Sequence, residues 1–355
     1  MMASVRRARG GLVLGLTLLL AACGGPGSGE GTAGEAGASP GSVLAPSVST
    51  PPQPKVALPG KIAFGRAGNI WVFQDGAAHQ ATTTPGAADP AWSPDGSMLA
   101  FDRQDKNSAD LFVMPYPGAG PKSLSNNINR VVENNFWEMQ PDWAPDGLSL
   151  AYVTDRGRTR NGVLDPAPWR ITIATGARTQ LANSIQYAGG IDFPRWRPDH
   201  KNQLLYTSWA YDSQTLQPYG VLMLQDTQTG QAHALTPPTE SAFQASWSPD
   251  GMQIAYVKRQ QKRDDLWVMS VPDSVAPSPA GTVTSSTAAK LVAQGNMSHP
   301  VWSPDGHGVA YIALKDGSLD IFVQGLNGQY DPEGQPTQVT TGFHVEGASA
   351  ISWGR

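Results

Sequence analysis

The chain has one cysteine in 355 residues, so an internal disulfide is excluded and stability has to come from packing. Charged residues make up 15%, and no stretch keeps the apolar 3.6-residue period of a long amphipathic helix. The motif H-E-x-x-H is absent. Six histidines, at 79, 200, 233, 299, 307 and 344, are scattered with no close pair, which removes the usual metallohydrolase signature. Two strings imitate catalytic motifs, G-x-S-x-G at 37–41 and G-x-G-x-x-G at 29–34. Both lie in a Gly/Ser-rich stretch without the strand, turn and helix that such motifs need, and nothing in the sequence asks for a cofactor. What is plentiful is Gly (39), Pro (30) and Trp (11, more than Tyr or Phe at 9 each). That mixture suits many short strands separated by turns within one large all-β domain.

The N-terminus reads as an export signal. Arg6, Arg7 and Arg9 precede an apolar run from Leu12 to Leu20, followed by Ala21, Ala22 and Cys23. That run is shorter than the about 20 residues a membrane-spanning helix needs. The string "LAAC" at 20–23 resembles the bacterial lipoprotein box, which implies cleavage after residue 22 and lipidation of Cys23, an acyl anchor to a membrane. Loss of three arginines and no acid would shift the formal charge from −4 to −7. A net-acidic chain is poorly suited to phosphate backbones, so nucleic acid is not an expected partner. Residues 23–59 are Gly, Ser, Ala and Pro with few large apolar side chains, the composition of a flexible tether. As a random coil of about 35 residues it would span roughly 30–35 Å.

From residue 60 the chain is periodic. Trp92, Trp143, Trp196, Trp247, Trp302 and Trp353 are spaced by 51, 53, 51, 55 and 51 residues, the signature of a repeat architecture. Three of them, Trp92, Trp247 and Trp302, are followed by Ser-Pro-Asp-Gly, which fits a type I turn, and then by a strand apolar at consecutive positions, such as Leu99-Ala100-Phe101 or Ile254-Ala255-Tyr256. Such strands need cover on both faces. A third strand (Leu111–Val113, Leu266–Val268, Ile321–Val323) and a short fourth complete each unit. Residues 60–73 hold second and third strands without a first, while 348–355 hold a first strand with nothing after it. Joined, the ends make a sixth unit and close a ring.

The W-S-P-D-G turn with its following I-A-Φ strand resembles the TolB-type β-propeller over residues 60–355. The resemblance implies a six-bladed propeller of four-stranded antiparallel blades, closed by pairing of N- and C-terminal strands; propellers host binding proteins and enzymes alike, and the expectation here is a monomeric binding scaffold. Departures are "WAPDG" at 143–147 and "WRPDH" at 196–200, where His200 replaces the turn glycine. A tether stands where TolB proteins carry an α/β domain, so a role resting on that domain does not transfer.

In such blades the second-to-third links and the loops leading into first strands share one face, and the Asp95, Asp146, Asp250 and Asp305 turns occupy the other. The links concentrate Arg66, Arg103, Lys106, Arg156, Arg158, Arg160, Lys258, Arg259, Lys262, Arg263 and Lys315. The lead-in loops bring Asp89, Glu138, Asp192, Glu240 and Glu346 toward the axis. An acidic mouth inside a basic collar is one reading; a mixed-sign solvated surface is the other. Phe136, Trp137, Tyr187, Trp209, Tyr211 and Phe243 share that face, as anchors for a protein or peptide partner in the cell envelope or as loop packing. His299 and His344 fall at the starts of first strands, where with the carboxylates they would suit a metal-dependent hydrolase or lyase acting on a sugar or ester; surface coincidence competes with that reading. The expectation is a lipid-anchored, extracytoplasmic propeller that binds its partner at the loop face.

Overall fold

The computed structural model describes residues 56–156, 165–184, 189–198, 202–261, 263–271 and 289–355. The strands fall into six four-stranded antiparallel sheets. The first strands by sequence are β1 (Lys61–Arg66), β2 (Asn69–Gln74) and β3 (Ala77–Gln80). Blade 1 is β4 (Ala87–Trp92), β5 (Met98–Gln104), β6 (Ala109–Pro115) and β7 (Lys122–Ser123); blade 2 is β8 (Glu138–Trp143), β9 (Ser149–Thr154), β10 (Ala167–Thr172) and β11 (Arg178–Gln180). Blade 3 is β12 (Ile191–Trp196), β13 (Gln203–Tyr211), β14 (Pro218–Asp226) and β15 (Ala232–Ala234); blade 4 is β16 (Ala242–Trp247), β17 (Gln253–Gln260), β18 (Arg263–Ser270) and β19 (Lys290–Ala293). Blade 5 is β20 (Met297–Trp302), β21 (Gly308–Lys315), β22 (Ser318–Leu326) and β23 (Pro332–Gln338).

Blade 6 is the composite expected from the chain ends. Strand β24 (Ser352–Gly354) lies beside β1, with Lys61 opposite Gly354, Ile62 opposite Trp353 and Ala63 opposite Ser352. The Trp353 indole N–H also donates to the Pro59 carbonyl at 2.6 Å. The seam is therefore a short ladder reinforced by a buried aromatic, and it links residues almost 300 positions apart without a covalent bond.

The motif explains itself in this frame. All six repeat tryptophans are buried, and they wedge between blades: the Trp143 indole donates to Ala91 O at 3.0 Å and that of Trp247 to Arg195 O at 3.3 Å, each in the preceding blade. Trp92 packs with Ile70 and Val72 of blade 6 as well as with Leu99 and Phe101 of its own. The second strands are buried at successive positions, Leu99, Ala100 and Phe101 among them, because both sheet faces meet a neighbouring blade. In the turn, Gly96 donates its N–H to Ser93 O with φ +72°, a conformation free of strain only for glycine. Asp95 accepts the Ser93 hydroxyl at 2.6 Å and the Ser97 N–H at 3.0 Å, which holds its carboxyl down at about 2. Asp250 and Asp305 repeat the contact.

The Trp196 unit solves the same problem differently. Its motif serine is replaced by Arg197, which is fully buried and donates from Nε to Gly251 O (2.7 Å), from Nη1 to Gln203 Oε1 (2.8 Å) and from Nη2 to Val271 O (3.3 Å). Its guanidinium lies 4.9 Å from the Trp247 ring. What is elsewhere a brace within one turn is here a clamp onto blade 4. The turn containing His200 lies outside the described residues.

Candidate functional site

The first strands line the axis, and each of the first five carries a β-bulge at the same place. The register shifts between Ala88 and Ala91, Met139 and Asp142, Asp192 and Arg195, Phe243 and Ser246, and Ser298 and Val301. Three residues before each of the first five motif tryptophans the backbone turns left-handed, at Asp89 (φ +49°), Gln140 (+56°), Phe193 (+48°), Gln244 (+52°) and His299 (+50°). None is glycine. Strain of this kind costs on the order of 1 kcal/mol or more per residue and persists only where the surroundings fix it.

Here the fixing is a circuit of hydrogen bonds between blades. Phe193 N–H donates to Gln140 Oε1 at 2.9 Å, His299 N–H to Gln244 Oε1 at 3.0 Å and Ala350 N–H to Asp89 Oδ1 at 2.7 Å. Asp89 N–H donates to Ser349 Oγ at 2.9 Å, and Gln140 N–H to Asp102 Oδ1 at 3.0 Å. Each bulge thus presents an N–H that a neighbouring blade must accept. Phe193, Arg195, Gln244, His299 and Ala350 border a cavity of about 10 Å³, room for about one water.

Arg195 is the cation of this axis, its Nη1 3.6 Å from Asp142 Oδ1. Asp89, Asp142 and Asp192 feel its charge, and Asp102 stands beside Asp89. Burial raises the carboxyls of Asp89 and Asp102, the second well above the usual range because the Asp89 carboxylate stands beside it. Burial lifts Asp142 to about 6 against the pull of Arg195 and the Trp196 N–H. It lifts Asp192 to about 7 although that carboxylate accepts the Trp209 indole N–H at 2.7 Å. His299 is pushed down to about 4 by burial and is neutral.

The sequence-selected residues separate into clusters. Asp192 accepts from Trp209, whose ring is 5.6 Å from that of Phe243, and the Arg259 guanidinium covers Phe243 at 4.9 Å. This run leads from the axis to the rim, where Tyr211 ends β13 and is 42% exposed. A second cluster sits on blade 2. Glu138 is fully buried and takes Arg156 Nε at 2.6 Å and Arg178 Nε at 3.3 Å, while the Arg156 guanidinium covers Phe136 at 4.3 Å. Trp137 is half-buried and its N–H donates to Asp155 Oδ1 at 2.9 Å. Glu240 pairs with Lys258 at 3.3 Å. Glu346 accepts the Gly68 N–H at 2.5 Å. Cys23, Arg158, Arg160, Lys262 and Tyr187 lie outside the described residues.

Of the five lead-in carboxylates, Asp89 and Asp192 reach the axis, whereas Glu138 and Glu240 are matched with collar cations. Arg259 likewise takes Asp264 at 2.9 Å and Arg263 takes Asp265 at 2.9 Å. The collar is therefore interleaved with acid. His299 and His344 do not fit a metal: His299 Nε2 is 3.1 Å from Gly347 O and 3.2 Å from Gln244 Nε2, His344 is exposed on the lead-in loop, and among the described residues no three His, Cys, Asp or Glu side chains converge. Reading the sequence missed Asp102, Gln140, Asp142, Arg195 and Gln244. Aligning the six units on their tryptophans gives the signal for four of them, as columns one and three residues upstream.

Three comparisons bear on this geometry. The region matched in a Bacillus subtilis protein named uncharacterized peptidase YuxL is 22% identical over 223 residues, 53% of this chain and 32% of that protein; the chain thus spans about a third of that relative's length. TolB from Acinetobacter baumannii superposes with a TM-score of 0.61 at 15% identity, covering 83% of this chain and 66% of that one. An oligogalacturonate lyase in complex with manganese superposes with a TM-score of 0.50 at 14% identity, covering 77% and 70%; at such identities the likeness is one of fold. The profile of the TolB beta propeller domain, PD40, matches residues 69–277, and with its six closed blades the chain belongs to the TolB β-propeller family.

Proposed function

We propose that this protein is a binding scaffold of the cell envelope, anchored through a lipidated Cys23 and a tether over 23–59, which captures a protein or peptide partner on the loop face of its propeller. One observation supports the reading most: the run from Asp192 through Trp209 and Phe243 to Arg259, which joins a rigid polar axis to an aromatic and cationic rim. Aromatic and arginine side chains held in place before contact lower the entropic cost of association. The blade frame supplies that rigidity, while the loops above it are free of the sheet register and can vary.

The catalytic alternative draws on the peptidase name of one relative and the lyase among the fold neighbours. The two histidines that sequence reading offered for a metal are engaged or apart, and this favours the scaffold.

The test is capture from detergent-solubilised envelopes by the full-length chain, comparing wild type with Tyr211→Ala plus Arg259→Glu, and with Met252→Ser on the turn face as control. Loss of a specific partner in the loop-face variant alone is the expected result; equal recovery by all three would refute the assignment of the face. A Cys23→Ser variant that stayed in the membrane fraction would refute the anchor.

A further inference from the structure

The lead-in loop of blade 2 holds three of the eight large apolar side chains that are exposed among the described residues: Ile128 (59%), Val131 (52%) and Val132 (54%). They sit within five positions of one another, while the backbone beneath them is tied to the blade. Asn127 is buried; its N–H donates to Asp110 Oδ1 at 2.7 Å, its Nδ2 to Ala109 O at 2.8 Å, and its Oδ1 accepts Arg156 Nη2 at 2.7 Å. Asn135, also buried, accepts the Asn129 N–H at 2.6 Å, and Asn129 accepts that of Val131 at 2.9 Å. Below them lies Glu138 with its two arginines.

Burying a carboxylate and two amides costs desolvation that hydrogen bonds offset, here through Glu138 Oε1, which takes both arginines, while its Oε2 has no partner among the described residues. A connector between adjacent blades needs no such network. Its effect here is to stop the loop from collapsing onto its own aliphatic side chains, which remain in water on a fixed backbone. Such preorganisation reduces the entropy lost on docking.

The charges say what the knob meets. Asp110, Asp155 and Glu138 are buried. Arg130 stands exposed inside the knob with no ion-pair partner among the described residues, and the isolated bridge between Ala109 and Trp137 brings the 103–109 link, with exposed Lys106, alongside. Asp105 and Glu133 are the acids of the same two segments. We infer that residues 127–132 form a preformed knob that inserts Ile128, Val131 and Val132 into an aliphatic hollow of the partner protein, with Arg130 set against carboxylates at the hollow's rim. This rests on the loop-face reading above and specifies its principal contact.

Photoreactive benzoylphenylalanine placed singly at positions 131, 211 and 252 of the full-length chain, in the cells that make it, tests the inference. The expected outcome is a protein adduct from 131 and none from 252, with the cross-linked partner peptide carrying aliphatic residues flanked by Asp or Glu. With that partner purified, Val131→Ser plus Val132→Ser and, separately, Arg130→Glu should each weaken binding at least tenfold and leave the melting temperature unchanged. An adduct from 211 but not 131, or unchanged affinity in both variants, would overturn the knob while sparing the loop-face reading. A lipid adduct at 131 would overturn it in favour of a membrane contact. Adducts from 252 alone, or from no position, would overturn both.

Discussion

Substituting Asp192 by asparagine should flatten the pH dependence of this propeller's stability. The carboxyl is lifted from 3.8 to about 7, by burial first, with the Trp209 indole N–H and Arg195 opposing the shift. A carboxyl whose folded value is raised binds its proton more tightly in the folded state. Its stabilisation is therefore complete below the unfolded value near 4 and is lost as pH climbs to about 7, after which stability is level. A shift of that size corresponds to about 4 kcal/mol, and water at the half-buried edge of the group reduces it to about 2–4 kcal/mol. Asp142, lifted to about 6, and the Asp89–Asp102 pair have the same sign. Asp95, held at about 2, has the opposite sign and acts below pH 4. The asparagine keeps an acceptor for Trp209 and stands in for the neutral acid. Urea midpoints followed by tryptophan fluorescence from pH 4.5 to 8.5 should fall for wild type across this window. For Asp192→Asn they should fall by less, so that the variant matches wild type at pH 4.5 and exceeds it at pH 8. Equal slopes for the two proteins, or a wild-type midpoint that rises toward pH 8, would refute the electrostatics assigned to the axis.

Two further outcomes follow from the frame. Deleting the last ten residues removes β24 and the Trp353 side chain from the seam, and should lower the melting temperature by more than about 10 °C and expand the particle in small-angle scattering, since a cavity the size of a tryptophan alone costs about 3–5 kcal/mol; an unchanged melting point would refute ring closure. Arg197→Ala leaves Gly251 O, Val271 O and Gln203 without their donor and should cost about 3–5 kcal/mol. Arg197→Ser, which restores the motif residue, should recover little of that, because two of the three lost contacts lie in the next blade; full recovery in a urea melt would show that the clamp is dispensable.

Much of this fold was readable because its signals are local and repeated. Trp92 and its five equivalents, the Asp95-type turns and the doubly apolar second strands each declare a conformation within a few residues, and six copies remove the ambiguity of one. The split blade was readable from the same template, since 60–73 and 348–355 are complementary fragments of it. The axis was not. Gln140, Gln244 and Asp142 look like ordinary polar residues of a half-buried strand, and the bulge that turns Gln140 and Gln244 left-handed breaks the two-residue alternation on which strand reading depends. Asp102 follows directly on the apolar run of its second strand, and Asp89, its neighbour at the axis, belongs to a different strand. Glu138 illustrates the converse: sequence position placed a carboxylate at a mouth, and only the approach of Arg156 and Arg178 from other segments makes it an interior anchor.

The seam has a consequence for how the molecule comes into being. Because residues 352–354 supply the innermost strand of the sheet that also contains 61–80, nascent chains must hold that first hairpin and its apolar flank unfinished until those residues are made. Closure of this ring thus waits on the appearance of Ser352–Gly354, and any factor that shields the early hairpin acts on it for as long as that strand has yet to arrive.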